Sequence, residues 1–389
     1  MLAGSSSVLR RAAGAARAAP LRAAARCAAG VADRRGAGGV RGAGAAHCGP
    51  AAAAIGPVGR APSRRAPGAR RRRSPPAPPA RATGAGAAAP PLAGFRLAPE
   101  EVAALQRERG CSLDSLLLSL LPAAARLARP PVSNYFVGAV GLAPSGAAYV
   151  GVNLEFPGAP LSQSVHAEQF LVANLLAHGE GGLDSLAVSA APCGHCRQFY
   201  SELACADSVR FLFSPLGSAT QEVTRLSDLL PARFGPLDLL EPGSAPLLLE
   251  KQDNRLRWAP AARAAVGARA GDGAFARAAE AALEAARRSY SPYTRCPSGV
   301  ALVARGGRVY SGGYSENAAH NPGLAPLQAA VAGAVIGGLA GYKEIEEVVV
   351  AELQRGLVQQ AGVAGAVARA AAGNAQLPVT VLHVEWDES

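Results

Sequence analysis

The sequence predicts an α/β protein built from two tandem domains. Short apolar segments bounded by glycine, typical of strands, alternate with longer segments in which apolar residues recur at helical spacing. The same order of segments occurs twice, within residues 93–235 and again, in a degraded form, within 271–389. A chain of 389 residues has the length for two such domains.

The first copy begins with a helix at Pro99-Glu100-Glu101-Val102, since proline and acidic residues are common in a first helical turn. Pro144-Ser145-Gly146 predicts a turn between two strands. In chain order we predict further helices over 113–121, 165–177 and 193–203, and strands over 136–142, 148–154, 186–190 and 209–214.

The second copy repeats these signals with altered residues. We predict strands over 299–303 and 347–351, a turn and strand over 306–310, and a buried helix over 329–339. The matched motifs pair Ser133-Asn134-Tyr135 with Ser291-Pro292-Tyr293, Asn153-Leu154-Glu155 with Tyr314-Ser315-Glu316, and His166-Ala167-Glu168 with Pro326-Leu327-Gln328. Because no Pro-Cys-x-x-Cys follows in this copy, it is predicted to be catalytically inert.

Two further segments complete the division of the chain. Residues 236–270 are rich in proline and predict a linker. Residues 1–92 contain sixteen Arg, no Lys and one acidic residue, Asp33, for a net charge of +15. This composition predicts a disordered leader, and an Arg-rich, acid-poor segment is typical of an organelle transit peptide. A disordered tail, a mispredicted gene start and a nucleic-acid-binding arm are the alternatives.

The rest of the chain has 23 basic and 27 acidic residues, a net charge of −4, which argues against DNA or RNA as the substrate. Cys111, Cys205 and Cys296 fit no disulfide framework, so we expect small buried side chains and a reducing compartment. No segment is long and apolar enough to suggest membrane insertion. We expect a location in the cytosol or, if the leader is a transit peptide, in a plastid or mitochondrion.

The motif that indicates chemistry is His166-Ala167-Glu168 followed by Pro192-Cys193-Gly194-His195-Cys196. His166, Cys193 and Cys196 offer one nitrogen and two thiolates, the ligands of a zinc ion that keeps its fourth position for water. Glu168 lies two residues from a ligand and can shuttle protons without binding the metal. This pattern is typical of zinc deaminases of cytosine or adenine rings. One zinc ion per chain is expected.

A closed structural zinc site, with His195 as the fourth ligand, is the alternative. His195 lies inside the Cys-x-x-Cys turn and would point away from a site shared by its neighbours. A structural site also has no use for Glu168, so we favour a catalytic centre.

Several further motifs extend the pattern through both copies. They are Ser133-Asn134-Tyr135, Asn153-x-Glu155-Phe156, Gln163-x-Val165-His166-Ala167-Glu168-Gln169, Cys196-Arg197-Gln198-Phe199, Leu230-Pro231-x-x-Phe234-Gly235-Pro236 and Glu316-Asn317-Ala318-Ala319. On these motifs residues 95–389 resemble the cytidine deaminases of the two-domain, homodimeric type found in enteric bacteria and plants.

The resemblance implies two three-layer α/β/α domains, each with a mixed sheet between helices, and a homodimer whose sites are completed across the interface. It implies that Asn153 and Glu155 bind the ribose 3′-hydroxyl, that Tyr135 packs on the pyrimidine and that Phe234 closes over the base. Asn153 as a turn residue, Glu155 as a solvated charge, and both aromatics as core residues are the alternatives. Arg197 either covers its helix or donates to a cysteine sulfur.

The predicted reaction is hydrolytic deamination of cytidine and 2′-deoxycytidine to the uridine product plus ammonia, in pyrimidine salvage. Zinc-bound hydroxide is the expected nucleophile and Glu168 the proton shuttle. A polynucleotide or tRNA deaminase with the same zinc chemistry is the alternative enzyme. A zinc-bound scaffold without activity is the alternative outside enzymes, and we expect inertness of this kind only for 271–389.

Overall fold

The computed structural model describes residues 92–213 and 222–387, which contain eleven strands. In chain order they are β1 (Arg96–Leu97), β2 (Gly138–Leu142), β3 (Ala148–Val152), β4 (Ser185–Val188), β5 (Arg210–Phe213), β6 (Glu222–Thr224), β7 (Leu256–Trp258), β8 (Ser298–Ala304), β9 (Arg308–Gly313), β10 (Ile345–Leu353) and β11 (Val379–Trp386).

Nine α-helices lie in the same ranges. They are α1 (Pro99–Arg109), α2 (Leu113–Ala125), α3 (Ala167–Ala177), α4 (Gly194–Tyr200), α5 (Leu226–Leu229), α6 (Pro260–Ala268), α7 (Gly273–Arg287), α8 (Pro326–Ile336) and α9 (Ala361–Ala372). Every predicted helix and strand overlaps one of these elements, although Ser214, at the end of one predicted strand, lies outside the described residues.

The strands form two mixed sheets that share the order of four strands, β3-β2-β4-β5 in one and β9-β8-β10-β11 in the other. The first has the order β1-β3-β2-β4-β5-β6 and the second the order β7-β11-β10-β8-β9. In each sheet one pair is parallel, β4 with β5 and β10 with β11, and the other pairs are antiparallel. A parallel pair needs a helical crossover, and here α4 and α9 supply it. The two copies therefore share one architecture.

Helices cover both faces of each sheet. Along β8, Val300 and Leu302 belong to the larger core, which also contains α3 and α8, whereas Ala301 and Val303 pack against α7 in a separate core. This alternation is the period-two pattern of a strand buried on both faces. Since α3 and α8 contact each other, the larger core is continuous from one sheet to the other. The expected three-layer α/β/α architecture is confirmed in both copies.

Part of the predicted linker, 236–270, has regular structure that belongs to the second sheet. Strand β7 pairs with β11 at its edge, and α6 follows directly. Strands of two or three residues such as β7 are too short to show an alternating pattern, which is why the sequence did not predict it. Helix α7 was predictable, because Phe275, Ala279, Ala282 and Ala286 recur at helical spacing.

The hydrogen bonds of two glutamates correct the pairing of Ser133-Asn134-Tyr135 with Ser291-Pro292-Tyr293. Glu155 accepts from the backbone N–H groups of Val132 and Ser133. Glu316 accepts from those of Tyr293 and Thr294. Ser133 therefore corresponds to Thr294 and not to Ser291. The pairing by residue type was three residues out of register because it followed the Ser and Tyr of Ser291-Pro292-Tyr293, whereas the residue equivalent to Ser133 is a threonine, whose hydroxyl also donates to its glutamate.

The start of α8 corrects the second motif pairing in the same way. Gln169 accepts from the N–H group of His166 just before α3, and Gln328 accepts from that of Ala325 just before α8. The counterpart of His166-Ala167-Glu168 is consequently Ala325-Pro326-Leu327, one residue earlier than predicted. The predicted pairing of Glu155 with Glu316 is correct, because the two carboxylates make matching hydrogen bonds.

Three predictions outside the sheets have different outcomes. Cys296 is buried as expected, but Cys111 and Cys205 are half-buried, because each lies where a helical segment ends near the surface. In 92–213 and 222–387 no helix is long and apolar enough to cross a membrane. The predicted leader, up to residue 91, lies outside the described residues.

Gly151 in β3 sets how closely α3 approaches the first sheet. A Cβ at this position would lie 2.1 Å from the carbonyl oxygen of Ala167 and 2.8 Å from the backbone nitrogen of Leu171. Backbone atoms cannot move aside locally, so we expect Gly151→Ala to lower the free energy of unfolding by about 1–3 kcal/mol. Urea denaturation measures the change. Gly181→Ala is the control, since nothing lies within 4 Å of its Cβ, and equal values for both variants would contradict the packing argument.

Candidate metal centre

Two helix starts bring the predicted ligands together. His166 is the residue before α3, with extended backbone angles, and Cys193 holds the same position before α4. Cys196 lies in the first turn of α4 and is buried. The amide ends of a helix favour negative charge, so the start of α4 is a suitable place for thiolates. The starts of α3 and α4 point to the same small volume.

The spacing of the three ligand atoms fits zinc. His166 Nδ1 lies 3.5 Å from Cys193 Sγ and 3.3 Å from Cys196 Sγ, and the two sulfurs are 3.7 Å apart. With Zn–S near 2.3 Å and Zn–N near 2.0–2.1 Å, tetrahedral angles require about 3.8 Å between sulfurs and about 3.6 Å between nitrogen and sulfur. Observed and required separations agree within 0.4 Å. The contacts with Cys196 and then with His166 also lower the pKa of Cys193 to about 3, which favours the thiolate that zinc binds.

His195 does not complete a closed site. Among the described residues, the group whose ligand atoms all lie within 4.8 Å of one another consists of His166, Cys193 and Cys196. The His195 ring instead stacks on that of His166, with centroids 5.1 Å apart, and its Nε2 lies 3.0 Å from Gln169 Nε2. Three protein ligands leave the fourth tetrahedral position available, as in catalytic zinc sites.

Glu168 lies beside these ligands in the first turn of α3 and is only 4% exposed. Burial, the largest influence, raises the pKa of its carboxyl group, while the charge of His166 acts in the opposite direction. A raised pKa lets this carboxyl group take up and hold a proton more readily than a solvent-exposed glutamate does. This is the property that a proton shuttle needs.

Asn153 and Glu155 are mostly engaged with the segment 132–137. Glu155, 8% exposed, accepts from the N–H groups of Val132 and Ser133, both at 2.9 Å, and from Ser133 Oγ at 2.6 Å. Burial tends to raise its pKa, but these hydrogen bonds outweigh it and lower the pKa of Glu155. The residue is therefore a buried carboxylate and not a solvated surface charge.

Each of the two residues keeps one polar position free. Asn153 accepts from the Val137 N–H group and donates one Nδ2 hydrogen to the Tyr135 carbonyl, both at 2.9 Å. Its second Nδ2 hydrogen is left, and so is one lone pair on the carboxylate of Glu155. A hydroxyl group can accept from the Nδ2 hydrogen of Asn153 and donate to the lone pair of Glu155. The pair thus matches a sugar hydroxyl while also bracing its own loop.

Tyr135 and Phe234 are surface residues, 52% and 45% exposed. This exposure excludes the alternative that they are core residues. The main chain of Phe234 is held by Gln198, whose Nε2 donates to the Phe234 carbonyl at 2.6 Å. Because Gln198 is on α4, the Phe234 segment is tied to the helix that carries the two cysteines.

Arg197 also supports this helix. Its Nε donates to the Pro192 carbonyl at 2.7 Å and its Nη1 to the Leu229 carbonyl at 2.8 Å. These backbone contacts favour the first of the two alternatives, a side chain that covers its helix, over a hydrogen bond to a cysteine sulfur.

Sequence reasoning missed a set of residues that connect this centre to the second copy. Gln169 Nε2 donates to the Pro322 carbonyl at 3.2 Å, and in the equivalent position Gln328 donates to the Gln163 carbonyl at 3.0 Å. Further contacts join Gln198 to Asn317 and Glu202 to the second copy. The available signal was the position of three of them, since Gln169 and Gln198 are on helices that begin at a predicted zinc ligand and Glu202 lies two residues after α4.

The equivalent place in the second copy is filled by its own side chains. Leu327, which corresponds to Glu168, is 4% exposed. Glu352 is 2% exposed and accepts from the N–H groups of Gln360 and Ala361 at the start of α9, where the first copy has its cysteines. Tyr314 replaces Asn153. In the described part of the second copy these substitutions leave neither the His/Cys/Cys ligand set nor an amide equivalent to that of Asn153.

Comparisons of the sequence with family models and with known proteins lead to the same family. Residues 112–212 and 226–365 each match a family model described as the cytidine and deoxycytidylate deaminase zinc-binding region. The chain is 44% identical over 275 residues to Cytidine deaminase 1 of Arabidopsis thaliana, a match that covers 68% of this chain and 90% of that protein. It is 43% identical over 273 residues to Cytidine deaminase 6 of the same plant, with the same coverage. A crystal structure of cytidine deaminase from Burkholderia pseudomallei matches with 30% identity and a TM-score of 0.28, covering 31% of this chain and 98% of that one.

Proposed function

The chain belongs to the cytidine deaminase family and is a zinc-dependent enzyme that deaminates cytidine, and from this premise we propose how its residues carry out the reaction. The observation that carries the proposal is the ligand triangle of His166, Cys193 and Cys196 with the buried Glu168 beside it. Zinc held by these three residues lowers the pKa of a bound water to about 7 and so makes a nucleophile available at neutral pH.

Glu168 moves the protons. Water adds through its oxygen to the amino-bearing carbon of the ring, and Glu168 takes the proton that the water loses and gives it to the adjacent ring nitrogen. It then takes the second proton and delivers it to the amino group, which leaves as ammonia. Water and cytidine thus become uridine and ammonia with all atoms accounted for. The raised pKa of Glu168 supports its uptake of these protons.

The substrate is proposed to be the free nucleoside, cytidine or 2′-deoxycytidine. The positions left free on Asn153 and Glu155 suit a 3′-hydroxyl, which a nucleotide within a strand does not carry. The net charge of −4 outside the first 92 residues also disfavours a polyanion. Turnover of the two nucleosides is expected to exceed that of a single-stranded oligonucleotide containing one cytosine. Faster release of ammonia from the oligonucleotide would contradict this proposal.

The second copy provides a matched control for the function of Glu155. Glu316 makes the same backbone hydrogen bonds, to Tyr293 and Thr294, but lies in the copy without zinc ligands. We expect Glu155→Gln to raise KM for cytidine about 10–100-fold, since a hydrogen bond to a charged group contributes roughly 1.5–3 kcal/mol. Glu316→Gln should leave KM unchanged. Equal effects of the two variants in steady-state kinetics would mean that the glutamate only braces its loop.

We propose that the active form is a homodimer with sites completed across the interface. Large apolar side chains are exposed on segments that flank the site residues in the chain: Tyr135 and Phe136 at 52%, Leu161 at 69% and Leu237 at 73%. Exposed large apolar side chains of this kind support the proposal of an interface. Sedimentation should give twice the chain mass of 39.2 kDa, and Leu237→Asp should shift it toward the monomer with loss of activity. An active monomer would refute this proposal.

A further inference from the structure

Helix α4 carries two of the three zinc ligands but has only seven residues. So short a helix is not stable by itself, and contacts with the rest of the fold must set its position. At its start these contacts come from Arg197 and the adjoining loop. At its other end they come from the first copy, where Tyr200 OH donates to the Glu168 carbonyl at 3.2 Å, and from the second copy.

Glu202, two residues after α4, makes the most extensive of these contacts. It is completely buried, and its carboxylate accepts from Tyr290 OH at 2.7 Å, from Tyr293 OH at 2.5 Å and from the Ala318 N–H group at 2.8 Å. All three donors belong to the second copy. Burial raises the pKa of Glu202, and the three hydrogen bonds oppose that rise, as expected for a carboxylate held by neutral donors.

Gln198, one turn earlier, adds a second connection. Its backbone carbonyl accepts from Asn317 Nδ2 at 2.9 Å, while its side chain holds the Phe234 carbonyl at 2.6 Å. Asn317 itself is 1% exposed, and the bond is partly buried. Helix α4 thus has the cysteines at one end and the second copy at the other, with the Phe234 segment attached between them.

We propose that Glu202 is a positioning residue through which the zinc-less second copy holds α4, and with it Cys193 and Cys196, in the geometry that binds zinc. This inference rests on the proposed function of the centre. It assigns a structural function to the second copy, which lacks the ligand residues: it positions the ligands of the first copy. A positioned ligand pair binds metal more tightly than one that must be ordered on binding.

A carboxylate suits this position because all three partners can donate to it. One oxygen accepts from both tyrosine hydroxyls and the other from the Ala318 N–H group. In Glu202→Gln one of these oxygens becomes an NH₂ group, which cannot accept a hydrogen bond. Either the Ala318 N–H group loses its acceptor, or both tyrosine hydroxyls must turn to accept from the NH₂ group. The variant therefore loses a hydrogen bond or replaces bonds to a charged acceptor by weaker ones between neutral groups, with almost no change in volume.

The test compares Glu202→Gln with Glu352→Gln in the full chain. Glu352 is as buried, but its hydrogen bonds stay within the second copy, to Gln360 and Ala361. Zinc affinity is measured by competition with a chromogenic chelator, and the sulfur-to-metal absorption bands are recorded after substitution with Co²⁺. Both are taken at a temperature where each variant is folded.

We expect Glu202→Gln to weaken zinc binding about 10–100-fold and to shift the Co²⁺ bands, because loss of residues that orient metal ligands has effects of this size. Glu352→Gln should change only the melting temperature. Identical affinities and spectra for the two variants would overturn the proposal. If Glu202→Gln does not fold, Tyr293→Phe, which removes one hydroxyl donor, is measured against Glu352→Gln with the same two criteria. Because neither measurement uses cytidine, failure of the proposed function would be seen separately, as a zinc-loaded wild-type chain without turnover.

Discussion

Replacing Glu168 by glutamine should abolish turnover of cytidine while one zinc ion per chain is retained. Both proton transfers depend on this single carboxyl group, so the loss in kcat should reach at least the roughly 10²–10⁴-fold that general acid–base catalysis contributes. Glutamine has nearly the same volume, and its amide can still bond within the buried first turn of α3. Release of ammonia measures kcat, and elemental analysis measures zinc.

Glu180→Gln is the matched control for this prediction. Glu180 follows α3 at its far end, where it accepts from Ser145 Oγ and Tyr149 OH, away from the ligand triangle. Its replacement should leave kcat unchanged. A Glu168→Gln enzyme with more than a tenth of wild-type kcat would show that another group moves the protons.

Removing zinc with a chelator should eliminate activity, and one equivalent of zinc should restore it. Without the metal, water keeps a pKa of about 15.7 in place of about 7 and offers almost no hydroxide at neutral pH. Cys193→Ala and Cys196→Ala should each fail to recover with added zinc, because two remaining ligands cannot maintain the observed triangle of 3.3, 3.5 and 3.7 Å.

Cys111→Ala is the control for the cysteine variants, since Cys111 is a free, half-buried thiol outside the ligand group. It should keep both zinc and activity. Two zinc ions per wild-type chain would contradict the assignment of a single centre, and full activity after exhaustive chelation would contradict the zinc mechanism.

Local patterns predicted the elements near the centre well. Helices α3 and α4 and strands β2 to β5 all have strong apolar patterns, and the ligand motif places His166 and Cys193 at helix starts. The parts that were missed or misplaced have two causes. Edge strands such as β7 are too short to have a pattern, and in the second copy the residue that marks the register is Thr294 in place of Ser133.

The chemistry could be predicted from the sequence alone, because reactive side chains at fixed spacing can be recognised in a linear chain. The prediction comprised the zinc ligands, the proton shuttle and a repeat without ligands. The contacts that hold the centre in place join residues far apart in the chain and are seen only in the tertiary structure. Glu202 is more than eighty residues from Tyr290 and more than a hundred from Ala318, yet accepts hydrogen bonds from both. Such a contact depends on how two sheets pack through α3 and α8, and no local pattern encodes it.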